Sequence, residues 1–416
     1  MHKTANATKS AKTQVRPTLD ELKSRAEALI PVMRDRAGPA EEARRLSDET
    51  IRDLYDAQLL QLFVPACYGG VEADWPAIVW CSRLVARGCA SSGWMVSVVG
   101  GHTAITSRLS KECQDVIYES GPEKVVTTAS AQTTGTIVKE DGGYRLNGVW
   151  RFGSGIDHAD WVQVTGPCHN HPNPPDHNIF RATVPRNVVE VEDTWHVAGM
   201  RATGSKDLRF EDVFVADDWV VTSAENFGMH PPGADLSPSA YIFDVPFMPY
   251  FTNWMIGPVL GCAEGAYEEY VTATIARIGS MTGAKVAEQS TVQERLAESA
   301  SEINCASLLF ESIVETMHTA GLERRPLTPE ELIVINRDRV YLTRLCMNAV
   351  QRLVKQMGAI GIYNTNPVQR HWRDISVMGS QMGVNWDLNM IPYGKWTLGL
   401  PTGNPLMGNA REKSSK

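Results

Sequence analysis

The sequence predicts an α+β protein in three parts: helices, then strands, then a bundle of long helices. Three observations carry that prediction. From Thr18 to about Ser120, apolar residues recur at helical spacing. Between Lys124 and Val221 the period drops to two, in short runs such as YRLNGVW, WVQVT and DLRFEDVFV. From about Met255 to Gln381 the helical period returns in longer stretches, the pattern of an up-and-down bundle. The boundaries this sets are a loose tail at 1–17, an N-terminal helical domain at 18–123, a central, mostly antiparallel, β-barrel-like domain at 124–222, a lid or linker at 223–254 and a C-terminal helical bundle at 255–416.

Taken in order, Thr18 and Glu21 form a capping box ahead of Leu22, Ala26, Leu29 and Val32. Ser47 caps a helix carrying Ile51, Leu54 and Tyr55, and Tyr68-Gly69-Gly70 turns the chain. Asp74 is expected to cap the next helix, with Pro76 in its first turn, and a further helix to run from Ser91 or Ser92 through Trp94 towards Ile105. Asp141-Gly142-Gly143 signals a hairpin. In the bundle, Thr328-Pro329-Glu330-Glu331 combines a cap, a first-turn proline and a capping-box glutamate. Behind it Leu342, Leu345, Ala349, Leu353 and Met357 form one stripe.

Composition narrows the function. With 40 basic against 48 acidic residues and no basic–aromatic stripe, nucleic acid is not the expected partner. No apolar run approaches the length of a membrane span, and the polar start has no secretory h-region, so a cytoplasmic protein is expected. The eight cysteines are scattered without CxxC pairs, which suits reduced, buried thiols and no zinc site. Cys168, His169, His171 and His177 look metal-like, but their proline-rich run reads as a surface loop, and no metal is expected.

Gly148–Trp161 (GVWRFGSGIDHADW) is the stretch with most chemical content. Trp150, Phe152, Ser154 and His158 stand at even spacing, which on an extended strand places them on one face. Glycines at 153 and 155 would let something flat approach the backbone, such as a planar cofactor with a polar edge. A half-buried strand with a glycine bulge fits the same residues. His102, on an apolar helix, fits either a satisfied core histidine or a site residue.

Phrases along the whole chain resemble the acyl-CoA dehydrogenase fold. They are Val64-Pro65 with Tyr68-Gly69-Gly70, Gly199-Met200-Arg201-Ala202-Thr203-Gly204-Ser205 before Phe210-Glu211-Asp212-Val213, Gly283 to Glu298, and Arg370 with Arg373-Asp374. Within that fold the dehydrogenases use a glutamate shortly after the RD pair as general base. Here that slot holds Met382, whose thioether cannot take a proton, and Gly279 replaces an expected pyrophosphate arginine. An acyl-CoA dehydrogenase or oxidase with a non-standard base is the alternative reading. Ala90-Ser91-Ser92-Gly93-Trp94, Gly148 to Trp161 and Gly199 to Ser205 are instead similar to the oxygenase components of two-component flavin monooxygenases, such as the 4-hydroxyphenylacetate hydroxylase and dibenzothiophene monooxygenase families.

That resemblance implies a reduced flavin, FMNH2 or FADH2, as diffusible cosubstrate, with O2, a C4a-(hydro)peroxyflavin and a small phenolic or indolic substrate. It implies a separate NAD(P)H:flavin reductase, in keeping with the missing dinucleotide fingerprint, and a homotetramer built as a dimer of dimers. The residues it points to for flavin are Trp94, Ser130, Gln132, Phe152, Ser154 and Ser205, with Ser154 near N5. Those it points to for substrate are His102, Trp94, Phe243, Phe247 and Met378. His102, Ser154 and Gln381 are expected to carry the chemistry, Gln381 standing where many such oxygenases have a peroxide-steadying histidine. Phe152 covers the ring in this reading, and Trp94, Trp150 and Trp161 supply apolar wall. Tyr241–Trp254 (YIFDVPFMPYFTNW) reads as a lid over the site or as packing between subunits.

Overall fold

Capping chemistry starts the first helices. In the computed structural model, which describes residues 16–130, 133–172, 178–281 and 283–403, Thr18 accepts from the Glu21 N–H at 3.2 Å. Glu21 accepts from the Thr18 N–H at 2.7 Å, and this reciprocal box opens α1 (Leu19–Ala28). Pro31 then lies in the first turn of α2 (Ile30–Ala43), so Leu22 and Val32 sit on two helices rather than one. Ser47 caps α3 (Asp48–Asp56) through the Thr50 N–H. The expected tail falls almost wholly outside the described residues; Arg16, at its end, pairs with Glu72 at 2.9 Å.

Two helix starts differ from expectation. Before α4 (Pro76–Gly88) the cap position is Trp75, without a side-chain cap. The Asp74 carboxyl meets the Tyr241 backbone instead, and burial pushes its pKa up. The following run begins at Ala90, ahead of both serines. It comprises α5 (Ala90–Trp94), a π-turn over Met95–Val99 and α6 (Gly100–Thr106), after which comes α7 (Lys111–Ile117).

The strands are β1 (Val126–Ala129), β2 (Thr136–Glu140), β3 (Gly143–Gly153), β4 (Trp161–His169), β5 (Ile179–Pro185), β6 (Glu190–Glu192), β7 (Lys206–Ala216) and β8 (Val220–Thr222). They are ordered β6-β7-β3-β2-β4-β5-β8, with β1 on β4. The Asp141-Gly142 turn joins β2 to β3 with Glu140 opposite Gly143. The sheet is mixed, not simply antiparallel: β4 runs parallel to both β1 and β2. Short loops concealed this, because after the hairpin the chain crosses back through residues 154–160 to lay β4 beside β2. One face of the sheet buries Ile137, Leu146, Trp150, Val164, Phe180 and Phe210.

After α8 (Ser223–Phe227) the chain enters the Tyr241–Trp254 stretch, with α9 (Met248–Asn253) inside it. This stretch is no external lid within the chain: Tyr241, Phe243, Phe247 and Tyr250 are buried in the main core. Arg108, just past α6, holds the segment there. It donates to the carbonyls of Asn226 (2.6 Å), Ile242 (2.9 Å) and Val245 (3.2 Å) and to that of Gly228, and lies 5.4 Å over the Phe247 ring.

The C-terminal helices are α10 (Ile256–Ile275), α11 (Ser290–Leu322), α12 (Pro329–Gln356), α13 (Pro367–Met378) and α14 (Trp386–Thr397). Gly257, Gly261 and Gly265 form one stripe of α10 against α4. A Cβ on each would lie 2.4 Å or closer to a side chain or carbonyl of α4 or the Arg87 carbonyl within it, so only glycine permits this approach. Arg83–Glu264 and Arg87–Glu268 ion pairs flank the stripe at 2.6 Å each. The Thr328 capping box opens α12 as expected, and Leu342, Ala349 and Leu353 of its predicted stripe are buried. Asp374 on α13 accepts from the Met200 N–H at 2.5 Å, and Arg373 pairs with Glu41 of α2, which ties the bundle to the other parts.

Replacing Arg108 by Leu strands four buried carbonyls and should lower stability by roughly 3–5 kcal/mol, as for other buried polar networks that lose one partner. Urea unfolding would measure the loss, and limited proteolysis should cut between residues 226 and 247. A variant as stable as the parent would show that Arg108 does not organise this segment.

Candidate active site

At the end of β3 the chain leaves its register. The pairing with β7 shifts between Trp150 and Gly153, and Phe152 takes φ +66°, a left-handed conformation that costs a β-carbon residue roughly 1 kcal/mol or more. The bulge undoes the single face expected from alternation. Trp150 turns into the sheet core, donating to the Thr165 carbonyl at 3.0 Å, whereas Phe152 is 43% exposed, edge-on to Trp195. Trp161 stacks on Trp219 at 5.1 Å, and His158 meets the Leu46 carbonyl at 3.1 Å. Neither Trp150 nor Trp161 therefore adds to a wall beside Phe152.

Beyond the bulge lies a chain of hydroxyls. Ser154 Oγ is 2.8 Å from Ser205 Oγ, which is 2.7 Å from Thr203 Oγ1, and Thr203 donates to the Met200 carbonyl at 2.9 Å. The Trp94 indole N–H points at Ser154 Oγ from 3.4 Å. Gly155 has φ +74°, and a Cβ there would meet the Met95 and Val99 side chains, so the turn can close only on glycine. Three residues expected to contact flavin, Trp94, Ser154 and Ser205, thus share one hydrogen-bonded chain. Ser130 stands apart, exposed at the end of β1 and donating to Thr165 at 2.9 Å. Gln132 lies outside the described residues.

His102 occupies a second cluster. It is 2% exposed, and its Nδ1 is 3.0 Å from the Val126 carbonyl. A carbonyl only accepts, so Nδ1 carries the proton and Nε2 carries the lone pair. Burial pushes the ring's pKa down to about 3, the Val126 carbonyl acting against it and the Arg181 charge with it. The ring is therefore neutral at physiological pH. An arc of aromatics extends from it: His102 to Trp254 at 5.9 Å, Trp254 to Phe247 at 6.1 Å and to Phe251 at 4.5 Å, and both phenylalanines to Phe227 at 5.5 Å. Gly101 leaves the space that the Trp254 indole fills.

Strand β1 joins the two clusters. Val126 receives the His102 hydrogen bond, and the hydroxyl of Thr127, the next residue, donates to the Ser154 carbonyl at 3.0 Å. Phe247 belongs to the arc. Phe243 and Met378 lie in the core, without a ring contact or hydrogen bond to His102 or Ser154 among the described residues. Gln381 is exposed at the end of α13, its Oε1 engaged by the Gly383 N–H at 2.6 Å. Met382, in the slot of the dehydrogenase base, is 62% exposed.

Residues 254–386 match the family model described as the acyl-CoA dehydrogenase C-terminal domain. A pigment production hydroxylase from Rhodococcus sp. is 30% identical over 390 residues, covering 94% of this chain and 99% of that protein. The flavin-dependent monooxygenase oxygenase subunit HsaA of Mycobacterium tuberculosis is 31% identical over 381 residues, covering 91% and 95%. This chain belongs to the flavin-dependent monooxygenases. Its fold matches the HsaA crystal structure with a TM-score of 0.85 at 28% identity, over 94% of this chain and 100% of that one. It matches XiaF from Streptomyces sp., in complex with FADH2 and glycerol, with a TM-score of 0.83 at 26% identity, over 92% and 96%.

The monooxygenase's own residues suit a flavin. An exposed Phe152, held off the strand by its bulge, stands next to a buried hydroxyl pair and an indole N–H, an apolar face with a polar edge. Sequence reading did not single out Thr203, Thr127, Trp254 or Phe227. Trp254 was detectable as the last aromatic of its stretch, but the partner that assigns it, Gly101, carries no side chain to notice.

With a folded pKa below the ordinary 6.5, His102 contributes stability that is full above that value and is lost as pH falls towards 3. Turnover is accordingly expected to show no imidazole inflection between roughly pH 5.5 and 8. An inflection in that range that disappears in His102→Gln would contradict the neutral assignment.

Proposed function

We propose that this chain is the oxygenase component of a two-component system that hydroxylates a small phenolic or indolic ring. Reduced FMN or FAD arrives from a separate NAD(P)H-dependent flavin reductase. The observation that carries this reading is the junction at β1, which sets a hydroxyl-lined flavin edge beside a neutral histidine and its aromatic arc. Relatives of the same family include a resorcinol hydroxylase from Rhizobium, a p-hydroxyphenylacetate 3-hydroxylase from Acinetobacter baumannii and an indole-3-acetate monooxygenase from the same species.

Bound reduced flavin would supply the two electrons with which O2 gives one oxygen atom to the ring and the other to water. The chain's own residues divide the remaining work. Phe152, Ser154, Ser205 and Trp94, with Ser130 and Gln132, hold the flavin, the Ser154 hydroxyl meeting the ring's polar edge. His102 Nε2, which carries the lone pair, accepts a hydrogen bond from a phenol O–H or indole N–H, which orients the ring and raises electron density on the carbon to be attacked. Trp254 and Phe247 form the apolar wall that keeps water out, with Phe243 and Met378 behind it. Gln381 serves as a neutral donor at the bundle end, its amide N–H2 remaining available while its oxygen is bound.

We also place the protein in the cytoplasm as a homotetramer, a dimer of dimers. No described helix is long and apolar enough to cross a membrane. Tyr341, Ile360, Ile362, Tyr363, Leu388 and Ile391 are exposed apolar side chains on the bundle, of the kind that subunit contact covers.

The protein, a generic flavin reductase and a panel of phenols and indoles should yield hydroxylated product. Reoxidation of all the flavin with release of H2O2 and no product from any compound would sink the reading. Ser154→Ala should raise the share of flavin oxidised to H2O2 several-fold, by roughly the worth of one hydrogen bond to the ring. His102→Ala should cut hydroxylation by about 10²-fold or more while flavin oxidation continues. Equal loss of both would remove His102 from the substrate side.

A further inference from the structure

A buried positive charge stands at the end of the aromatic arc remote from His102. Arg181, on β5, is 2% exposed, and its guanidinium lies 5.0 Å over the Phe227 ring. Its Nε and Nη1 are buried without a hydrogen-bond partner. The other two deeply buried arginines among the described residues have acceptors. Arg108 has its four carbonyls, and Arg339 donates to the side-chain oxygens of Asn253 at 3.2 Å and Asn389 at 3.0 Å.

Among the described residues, none supplies Arg181 with a counter-charge. Burial pushes its pKa down to about 9, with no carboxylate opposing that shift, so it remains cationic at neutral pH. An isolated cation in a low-dielectric interior is strongly unfavourable unless something pairs with it. Its strand position aims it at the site. In the β4–β5 pairing Thr165 lies opposite Arg181, and the hydroxyl of Thr165 accepts from Ser130 at the rim. One pleat further in, Gln163 lies opposite Thr183, and its amide reaches 3.5 Å to Thr106 of α6, the helix that carries His102. The Arg181 charge is also felt at His102, where it opposes protonation.

We propose that the Arg181 guanidinium receives the carboxylate of an aromatic-acid substrate whose ring lies along Phe227, Phe247 and Trp254, with its phenol or indole edge towards His102. The fork of N–H donors on a guanidinium matches the two oxygens of a carboxylate. Neutral phenols and indoles would leave the charge unpaired, so the site discriminates by charge as well as by shape. The inference rests on the aromatic-hydroxylase reading and narrows it to acids.

Matched acid and amide pairs test it: 4-hydroxyphenylacetate with 4-hydroxyphenylacetamide, indole-3-acetate with indole-3-acetamide, and 3-hydroxybenzoate with 3-hydroxybenzamide. Binding is measured by anaerobic calorimetry on the full-length protein saturated with reduced FMN and, separately, with reduced FAD. At least one acid should bind roughly tenfold or more tighter than its amide, the scale of a hydrogen bond to a charged group. Arg181→Met should bring that ratio close to one, and Arg181→Lys should keep part of it. A ratio near one for every pair in the wild-type protein, as for an arginine satisfied only by internal water, overturns the proposal, as does a preference that survives in Arg181→Met. Should Arg181→Met fail to fold, the wild-type ratio and Arg181→Lys decide. Failure of the hydroxylase reading looks different, because the wild-type protein would then oxidise reduced flavin with full release of H2O2 and form no product from acid or amide.

Discussion

The bonds from Arg108 to four carbonyls are the constraint on which the site depends. A loop of this composition, rich in proline and aromatics, has few hydrogen bonds of its own to fix its path. The guanidinium supplies them, drawing Asn226, Gly228, Ile242 and Val245 against the end of α6. That places Phe227 and Phe247 over the sheet and, through α9, brings Trp254 down on Gly101 beside His102. One buried cation thus turns a stretch able to flap into part of the core, and the aromatic arc is the outcome.

Polarity is distributed unevenly around that arc. The hydroxyl chain from Ser154 to Thr203 is internally satisfied and ends on a backbone carbonyl, each hydroxyl donating towards Met200, so Ser154 presents an oriented acceptor oxygen without taking up water. His102 is desolvated enough to stay neutral, and the Val126 carbonyl fixes its tautomer. A site of this kind keeps its donors and acceptors in place before any ligand enters, which is how electrostatic preorganisation works in a dry pocket. The formal net charge of −8 says nothing of this interior, where Arg181 makes the local field positive.

Much of the fold was legible because local chemistry decided it. Thr18 with Glu21, Ser47, and Thr328 with Glu331 cap their helices as their spacing requires, and the Asp141-Gly142 turn sets the β2–β3 register. The failures have tertiary causes. Asp74 had the right position to cap, but Tyr241, distant in sequence, draws its carboxyl away. Alternation placed Trp150 and Phe152 together, and a one-residue bulge separated them, since any slip in a period of two reverses the face. The parallel pairing of β4 with β1 and β2 leaves no local trace at all. Of the site, Trp94, Ser154 and Ser205 came from motif likeness and meet in space. Arg181 escaped notice because, in IFRATV, one arginine in a strand reads as an edge residue facing solvent.

The π-turn at Met95–Val99 has a consequence for how such a site can change over time. An α-helix advances about 100° per residue, and a π-turn accommodates one residue more than the α-helix would. Trp94 and His102 stand on either side of that turn, one bonded to the Ser154 side of the site and the other to the Val126 side. Their relative bearing therefore depends on where in the segment a residue is lost. Shortening the segment by one residue within the turn would restore regular helix and leave Trp94 and His102 on their present bearings, because the turn absorbs the extra residue. The turn therefore tolerates a change of length between the Ser154 side and the Val126 side, whereas the loss of a residue from the regular helix beyond it would rotate the imidazole by about 100°.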